Sequence, residues 1–401
     1  MALTMSRFAL FEIAKQTLEH YDEICEEDLR SLGQLTELRH ELRKHSPLAE
    51  TNVMKLYSYI DELLDSIKDH GTPQFTRQAR CAFMARSFCR TLVEKGYFTK
   101  QEMDDFMLSI PTVASEFERD FDLYSHGKLS RDDFNHLYGH LRLGTYDIRS
   151  DSYRNIYFDV ASANLTGNNK VKQEAKSLDL ERLQVALDEA GIPVTPEKFI
   201  EFIKKATQNR EYFKFEFTKS LSLMLDVIVK LGEVMAIARE DMSYLEIQDL
   251  LSYHSRDSYI QTIETRRRFY HVNSYLVLPE VIFDVGDIDV IDIDEARPNF
   301  ITNKVVEAPI VNLDEDHDSD ITGKIVALTK ADPGYDWIFA KDIAGFVTKY
   351  GGAASHMAIR CAEFGIPAAI GCGEKIYQRI HRMQIMCLDC ENGRITEKQS
   401  Q

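Results

Sequence analysis

The stretch TKYGGAASHMAIR at positions 348–360, followed by GIPAAIG at 365–371, decides the fold of the C-terminal part of this chain. An extended run enters the glycine pair Gly351-Gly352, and residues of helical character follow the histidine at position 356. This order predicts a strand, a tight turn and a helix.

The residues before this stretch continue the same alternation. Residues 324–328 are apolar, residues 335–341 have helical spacing, and residues 345–348 are extended. From Gly323 onward the chain therefore predicts a small α/β layer structure.

The predicted turn gives His356 a setting in which it can be phosphorylated. A helix that begins directly after a glycine turn directs N–H groups and the positive end of its dipole at an anion. Neutral imidazole is nucleophilic near pH 7, and Thr348 or Ser355 would donate to phosphoryl oxygens. The spacing alone fits equally well a structural interpretation, in which His356 completes a helix start and the glycines only form a tight turn.

The same residues resemble the mobile domain of PEP-utilising enzymes, a group that includes PEP synthase, pyruvate phosphate dikinase and rifampicin phosphotransferase. The resemblance covers about Gly323 to Thr396. In that family, the histidine of the motif takes a phosphoryl group from one site and delivers it to another. The resemblance therefore implies that His356 is the carrier. The pocket residues that it implies are Thr348, Gly351, Gly352 and Ser355.

One position departs from the family pattern. The family usually has an arginine six residues after the histidine, where this chain has Ala362, whereas Arg360 lies four residues after it. Four-residue neighbours share one face of a helix, so Arg360 is a further candidate for the phosphate pocket. The segment 332–334, Asp-Pro-Gly, resembles the turn before the first helix of the family domain and is interpreted as structural.

The rest of the chain predicts a mainly α-helical region. Apolar residues recur at helical spacing, and we expect a helical acceptor region over 1–295, with sub-bundles 1–155 and 165–275. Short β-branched runs at 281–293 end the helical pattern. An acidic linker is expected over 296–322 and the mobile domain over 323–401.

A glycine-flanked segment at 139–148, GHLRLGTYDI, contains His140, Arg142 and Asp147. It is similar to a Gly-His-x-Arg-Pro-Gly segment of the acceptor domain in PEP-synthase-like kinases. Its order of residues also resembles that of capsule-associated L-glutamine kinases. The resemblance implies binding of a carboxylate or of the incoming phosphoryl group. A structural hydrogen-bond cluster between domains is an equal alternative.

A second candidate acceptor site lies on a predicted helix. Arg210 and Lys214 share one face at i, i+4 spacing, with Glu211 beside them. Two cations that face a pocket suit phosphoryl transfer, which depends mainly on positioning and charge stabilisation. A solvated charged face is the simpler alternative.

Composition limits the classes of partner. A formal net charge of −17 disfavours general binding to nucleic acid or to an anionic membrane surface. The sequence contains no run of about 18 apolar residues and no secretory signal at its start, so we expect a cytoplasmic protein. Seven scattered cysteines are typical of reduced thiols, and we expect no metal site.

Relatives of this kind begin with an ATP-grasp domain, and no phosphate loop or acidic metal pair precedes Gly323. We therefore expect the chain alone to bind no cofactor. ATP and Mg²⁺ would act through an ATP-grasp partner, or through a domain of a longer protein to which this chain belongs. The expected enzyme is a phosphotransferase component of kinase or dikinase type, with a small-molecule acceptor such as L-glutamine. The alternatives are a non-catalytic scaffold that keeps the fold and a PEP-dependent phosphocarrier.

Overall fold

The computed structural model describes residues 2–142, 144–155, 177–273, 284, 298–315, 319–330, 333–353 and 355–398. Within these residues the chain is helical up to Asn273, and a mixed sheet follows. The helices are α1 (Ala2–Glu19), α2 (Tyr21–Lys44), α3 (Val53–His70), α4 (Thr72–Glu94), α5 (Lys100–Leu108), α6 (Val113–Ser125), α7 (Arg131–Tyr138), α8 (Leu180–Ala190), α9 (Pro196–Val234), α10 (Arg239–Met242) and α11 (Arg256–Asn273). The predicted fold class, a mainly α-helical region followed by a small α/β domain, is confirmed.

Several helix ends follow directly from local sequence. Asp179 accepts a hydrogen bond from the Arg182 N–H at 3.0 Å and starts α8, and Gly191 ends it in the left-handed conformation at φ 65°. Thr195 caps the next helix, whose first residue is Pro196. Helix α3 ends at His70 and α4 begins at Thr72, so the helical pattern breaks at Gly71.

The chain divides into two compact units, and each unit consists of two separate stretches of the sequence. The first unit comprises residues 1–119 and 167–230, and the second comprises residues 120–166 and 231–401. The division thus falls inside α9, and the second unit combines part of the predicted helical region with the sheet. The core of the first unit is apolar and includes Leu18, Ala85, Phe106, Leu183, Phe199 and Ile203.

The second unit contains a seven-stranded sheet with the order β1-β5-β4-β3-β2-β6-β7. Strands β2 to β5 are parallel, and β1, β6 and β7 pair antiparallel. The strands are β1 (Asn299–Ile301), β2 (Val305–Asn312), β3 (Ile325–Lys330), β4 (Gly345–Tyr350), β5 (Ala368–Ile370), β6 (Ile385–Asp389) and β7 (Arg394–Glu397). Parallel neighbours need crossover connections; a 3₁₀ segment at Pro333–Ala340 lies between β3 and β4, and helix α12 (His356–Phe364) lies between β4 and β5. Helix α13 (Gly373–Ile380) contacts β4.

The sheet begins earlier than the sequence predicts. The sequence predicts a linker over 296–322, but β1 and β2 lie within that range. Strand β2 pairs with β3 on one side and β6 on the other, and Ala308 is buried in the core of the sheet. Val306 and Ile310 of β2 also pack, partly buried, against this core, so the expected linker does not describe β1 and β2. The stretch 281–293, where short β-branched runs are expected, lies outside the described residues apart from position 284.

The predicted helix at 335–341 also has a different form. The segment Pro333–Ala340 is a 3₁₀ helix, and Tyr335, Trp337, Ile338 and Phe339 are buried. Four buried apolar side chains in so short a segment fix it against the rest of the domain.

One glycine is required for the shape of the β4–α12 turn. Gly371 has φ +77°, and a Cβ atom placed there would lie 2.4 Å from the carbonyl oxygen of Gly351. Its N–H donates to Thr348 Oγ1 at 3.1 Å, so the turn after β5 is joined to the end of β4. Only a residue without a side chain allows this backbone approach.

Gly371→Ala is expected to destabilise the mobile domain by about 1–3 kcal/mol, because it adds backbone strain and a backbone clash. Gly352→Ala is the matched control, since a Cβ at Gly352 meets no atom within 4 Å. Thermal unfolding followed by the emission of Trp337, the single tryptophan of the chain, measures both changes in this domain. Equal melting temperatures for the two variants would contradict the close approach.

Candidate phosphohistidine site

His356 occupies the first position of α12, beyond the carboxyl end of the parallel strand β4. Ser355 precedes the helix with φ −66° and ψ 155°, and its hydroxyl accepts from the Ala358 N–H at 3.4 Å. This cap fixes the helix start at His356, in the turn whose first N–H groups have no partner within the helix. The side chain of His356 is 24% exposed and therefore accessible to a reactant.

Asp336 holds the ring of His356 from the 3₁₀ segment. The distance between His356 Nε2 and Asp336 Oδ1 is 2.6 Å. Because a carboxylate only accepts, Nε2 is the protonated ring nitrogen in this contact. Asp336 is not among the site residues that the sequence predicts, because it lies far before the histidine, in the segment that follows the Asp-Pro-Gly turn. The available signal was an acidic residue within an otherwise apolar segment.

Arg360 lies one turn after His356 on the same helix and faces the same carboxylate. Its Nε is 4.0 Å from Asp336 Oδ1, and its Nη1 donates to Glu363 Oε2 at 3.2 Å. The guanidinium stacks 4.6 Å from the ring centroid of Phe364, and the side chain is only 12% exposed. The predicted proximity of Arg360 and His356 on one helix face therefore agrees with the structure.

The remaining predicted pocket residues differ in position. Thr348 is fully buried, and its hydroxyl and carbonyl oxygens accept from the N–H groups of Gly371 and Cys372. Gly351, at φ 130°, and Gly352 are exposed beside the helix start. Thr348 thus joins the end of β4 to the turn after β5. Gly351 and Gly352 place no side chain next to the start of α12, where His356 lies.

The residues of the 139–148 segment belong to the same unit as this site. His140 and Arg142 are buried, and Arg142 Nη1 donates to the Ser150 carbonyl at 2.6 Å. Arg142 also forms an isolated β-bridge with Ser152. These contacts stabilise the segment itself, and the binding role of His140 and Arg142 stays a prediction.

Asp147 and Tyr153 connect this segment to the α/β domain. Asp147 accepts from Arg149 at 2.7 Å and from Lys330, the last residue of β3, at 3.0 Å. The Tyr153 hydroxyl donates to the Gly334 carbonyl in the 3₁₀ segment. Two contacts therefore place the stretch from Asp147 to Tyr153 beside the segment that contains Asp336.

The third group of predicted residues lies in the other unit, on α9. Arg210 stacks 5.7 Å from the Phe83 ring centroid, and Glu211 accepts from the Ala114 N–H at 3.2 Å, in the first turn of α6. Both of these side chains, and that of Lys214, are half-buried. The contact of Glu211 with a helix N-terminus is stabilising, because a carboxylate there meets unpaired N–H groups.

Membrane-spanning helices and clustered metal ligands are both absent from the described residues. None of the described helices is both long and apolar enough to cross a bilayer. In the same part of the chain, no group of three or more His, Cys, Asp or Glu side chains is arranged as a metal ligand set.

The geometry defines a class of domain, a parallel α/β layer that presents a partly exposed histidine at a helix N-terminus. The family model for the mobile domain of PEP-utilising enzymes matches residues 321–393. The chain is also 27% identical over 222 residues to rifampicin phosphotransferase from Bacillus subtilis and 26% identical over 212 residues to that from Bacillus cereus. These alignments cover 50% and 48% of this chain but 24% of each relative. Residues 321–393 are therefore similar to the mobile domain of PEP-utilising enzymes, and the chain spans about a quarter of the length of those two phosphotransferases.

Asp147→Asn is expected to loosen the contact between its segment and β3. The hydrogen bonds from Arg149 and, more weakly, Lys330 outweigh burial and hold the pKa of Asp147 below its ordinary value of 3.8. A lowered pKa means that this stabilisation is complete above about pH 4 and is lost as the pH falls through the folded-state pKa. The variant should therefore lose about 1 kcal/mol or less, equally from about pH 5 to 8, and the difference from wild type should shrink in stronger acid.

Denaturant unfolding followed by Trp337 emission measures this difference at each pH. Asp61→Asn, at an exposed position of α3, is the control for a general charge effect. A difference between Asp147→Asn and wild type that grows below pH 4 would contradict the assignment.

Proposed function

We propose that this chain is a phosphotransferase component in which His356 receives a phosphoryl group from an ATP-dependent loading site and passes it to a small-molecule acceptor. The observation that carries the proposal is the position of His356: partly exposed, at the capped start of α12, and approached over two glycines that lack side chains. A dianionic phosphoryl group on this ring would lie beside the positive end of the helix dipole.

The transfer needs no chemistry beyond a nucleophile and a leaving group. In loading, a ring nitrogen of His356 forms a P–N bond as the bond from phosphorus to its donor breaks, and the ring proton leaves. In delivery, an acceptor heteroatom forms a bond to phosphorus as the P–N bond breaks, and the ring regains its proton. For the complete cycle, the β,γ-pyrophosphoryl group of ATP moves to His356 with AMP as the leaving group, and water then cleaves the terminal phosphate. The phosphoryl group left on His356 passes to the acceptor, so ATP, water and the acceptor give AMP, phosphate and the phosphorylated acceptor.

The loading site is assigned to a partner. An ATP-grasp domain, either a separate polypeptide or part of a longer protein, would bind ATP and Mg²⁺ and present the donor phosphoryl group. This assignment rests on the resemblance to PEP-utilising enzymes, and on a relative length that leaves about three quarters of the matched phosphotransferases outside the alignment.

The acceptor is proposed to be a small molecule, with L-glutamine as the first candidate to test. L-Glutamine is suggested by the residue order of the 139–148 segment, which resembles that of L-glutamine kinases. The contacts of Tyr153 and Asp147 hold this segment near the histidine-bearing domain. His140, Arg142 and Asp147 are the candidate contacts there. Arg210, Glu211 and Lys214 stay a separate candidate group in the other unit.

Two other classes of function use the same fold. A non-catalytic scaffold would not need an accessible histidine, yet the ring is accessible and its turn keeps both glycines. A PEP-dependent phosphocarrier would load His356 from PEP without ATP. Supplying PEP or ATP to the same mixture distinguishes the second alternative from the main proposal.

The chain should be incubated with a candidate ATP-grasp protein, Mg²⁺ and ATP labelled in its β-phosphate, and L-glutamine should be added afterwards. We expect acid-labile label on the chain before the acceptor is added. After its addition, phosphorus NMR should show equal amounts of AMP, phosphate and phosphorylated acceptor. His356→Ala should abolish both the label and the product, because no other group replaces the attacking nitrogen.

His381→Ala is the matched control, because His381 is a similarly exposed histidine of the same domain, at the end of α13. It should load and deliver as wild type does. Label that persists in His356→Ala, or ADP formed in place of AMP and phosphate, would contradict the proposal.

A further inference from the structure

We infer that Asp336 is a positioning residue for the carrier, which holds the unloaded ring of His356 and moves toward Arg360 when the ring is phosphorylated. This inference rests on the proposed function, since it requires His356 to be the residue that is loaded. It assigns to the 3₁₀ segment Pro333–Ala340 a part in the reaction.

The contact between Asp336 and His356 competes directly with loading. Oδ1 of Asp336 lies 2.6 Å from Nε2 of His356 and occupies the space that a phosphoryl group on that nitrogen would fill. A phosphoryl dianion on Nε2 would also face the carboxylate at short range, where like charges repel strongly. The contact belongs to the unloaded carrier, because loading at Nε2 requires that this nitrogen lose its proton and that the contact break.

The displaced carboxylate has a second partner within reach. The same oxygen, Oδ1, is 4.0 Å from Nε of Arg360, whose guanidinium is held by Glu363 and by the ring of Phe364. A change in the side-chain torsions of Asp336 exchanges one partner for the other, and the backbone can stay in place. Asp336 therefore has two discrete arrangements, one for the empty and one for the loaded carrier.

The surrounding segment is fixed and contains a natural reporter. Trp337, directly after Asp336, is 7% exposed and is the single tryptophan of the chain. Gly334, in the same segment, accepts the hydrogen bond from Tyr153. A change at Asp336 thus alters the electric field at one known indole, and it occurs next to the contact that Tyr153 makes with the 3₁₀ segment.

Phosphoramidate is a chemical donor that phosphorylates histidine directly. It allows the role of Asp336 to be tested without a partner protein. Phosphohistidine is measured by phosphorus NMR, and Trp337 emission is recorded on the same samples. In wild type, the emission should change in proportion to the phosphohistidine signal. In Asp336→Ala, loading should be roughly threefold to tenfold faster, because a charge-assisted hydrogen bond no longer occupies Nε2. Its emission should not change further on loading.

The increase in rate separates positioning from a merely structural role, because a damaged site would load more slowly. Asp336→Asn keeps the shape of the side chain and should give a smaller increase, of roughly twofold, since a neutral hydrogen bond is about half as strong. Asp336→Asn also tests the inference if Asp336→Ala does not fold. Asp342→Ala, at an exposed aspartate of the same domain, is the matched control and should behave as wild type.

Loaded wild type with unchanged Trp337 emission, or Asp336 variants that load no faster than wild type, would overturn the inference and leave the carrier role intact. If neither wild type nor the Asp336 variants acquire phosphohistidine, or if His356→Ala acquires it equally, the proposed function fails and this inference fails with it.

Discussion

The close approach of two backbone turns, at Gly351 and Gly371, is the constraint on which the candidate site depends. The hydrogen bond from the Gly371 N–H to Thr348 fixes the point where β4 ends, and the absence of a side chain at Gly371 lets the Gly351 carbonyl lie against it. Helix α12 must then begin at His356, under the Ser355 cap. His356 is then partly exposed at the first position of a helix and follows a glycine turn, a setting that favours an anion such as a phosphoryl group.

The parts of the fold that could be predicted from the sequence are those that local chemistry determines. The glycine pair and Ser355 specify a strand, a turn and a helix over a short stretch, and Asp179 with Gly191 specifies both ends of α8. Strands β1 and β2 could not be predicted, because the acidic residues that follow them suggest a solvated linker, whereas the burial of β2 depends on pairing with β6, much later in the chain. Asp336 could not be predicted for a similar reason, since its partner His356 is brought to it by the crossover from β3 to β4.

The segment from Gly139 to Tyr153 shows how a motif that suggests binding can also have a structural basis. Arg142 is buried and bonds to its own segment, and Glu211 on α9 meets the start of α6. Such contacts explain why these residue types occur there without a substrate. Asp147 and Tyr153 differ, because they reach β3 and the 3₁₀ segment and so connect the proposed acceptor segment to the domain that contains His356. The proposed delivery of phosphate is therefore supported more by this connection than by the cationic residues that the sequence suggested.

The carrier role of His356 is tested most directly by locating the phosphoryl group on the loaded chain. Loading, digestion and mass spectrometry under mildly alkaline conditions preserve a P–N bond, and fragmentation of the peptide that contains positions 350–360 distinguishes His356 from Ser355. A single phosphoryl group on a His356 ring nitrogen, lost on brief acid treatment, is the expected result. An acid-stable phosphoryl group on Ser355, or a phosphorylated residue outside this peptide at equal occupancy, would contradict it.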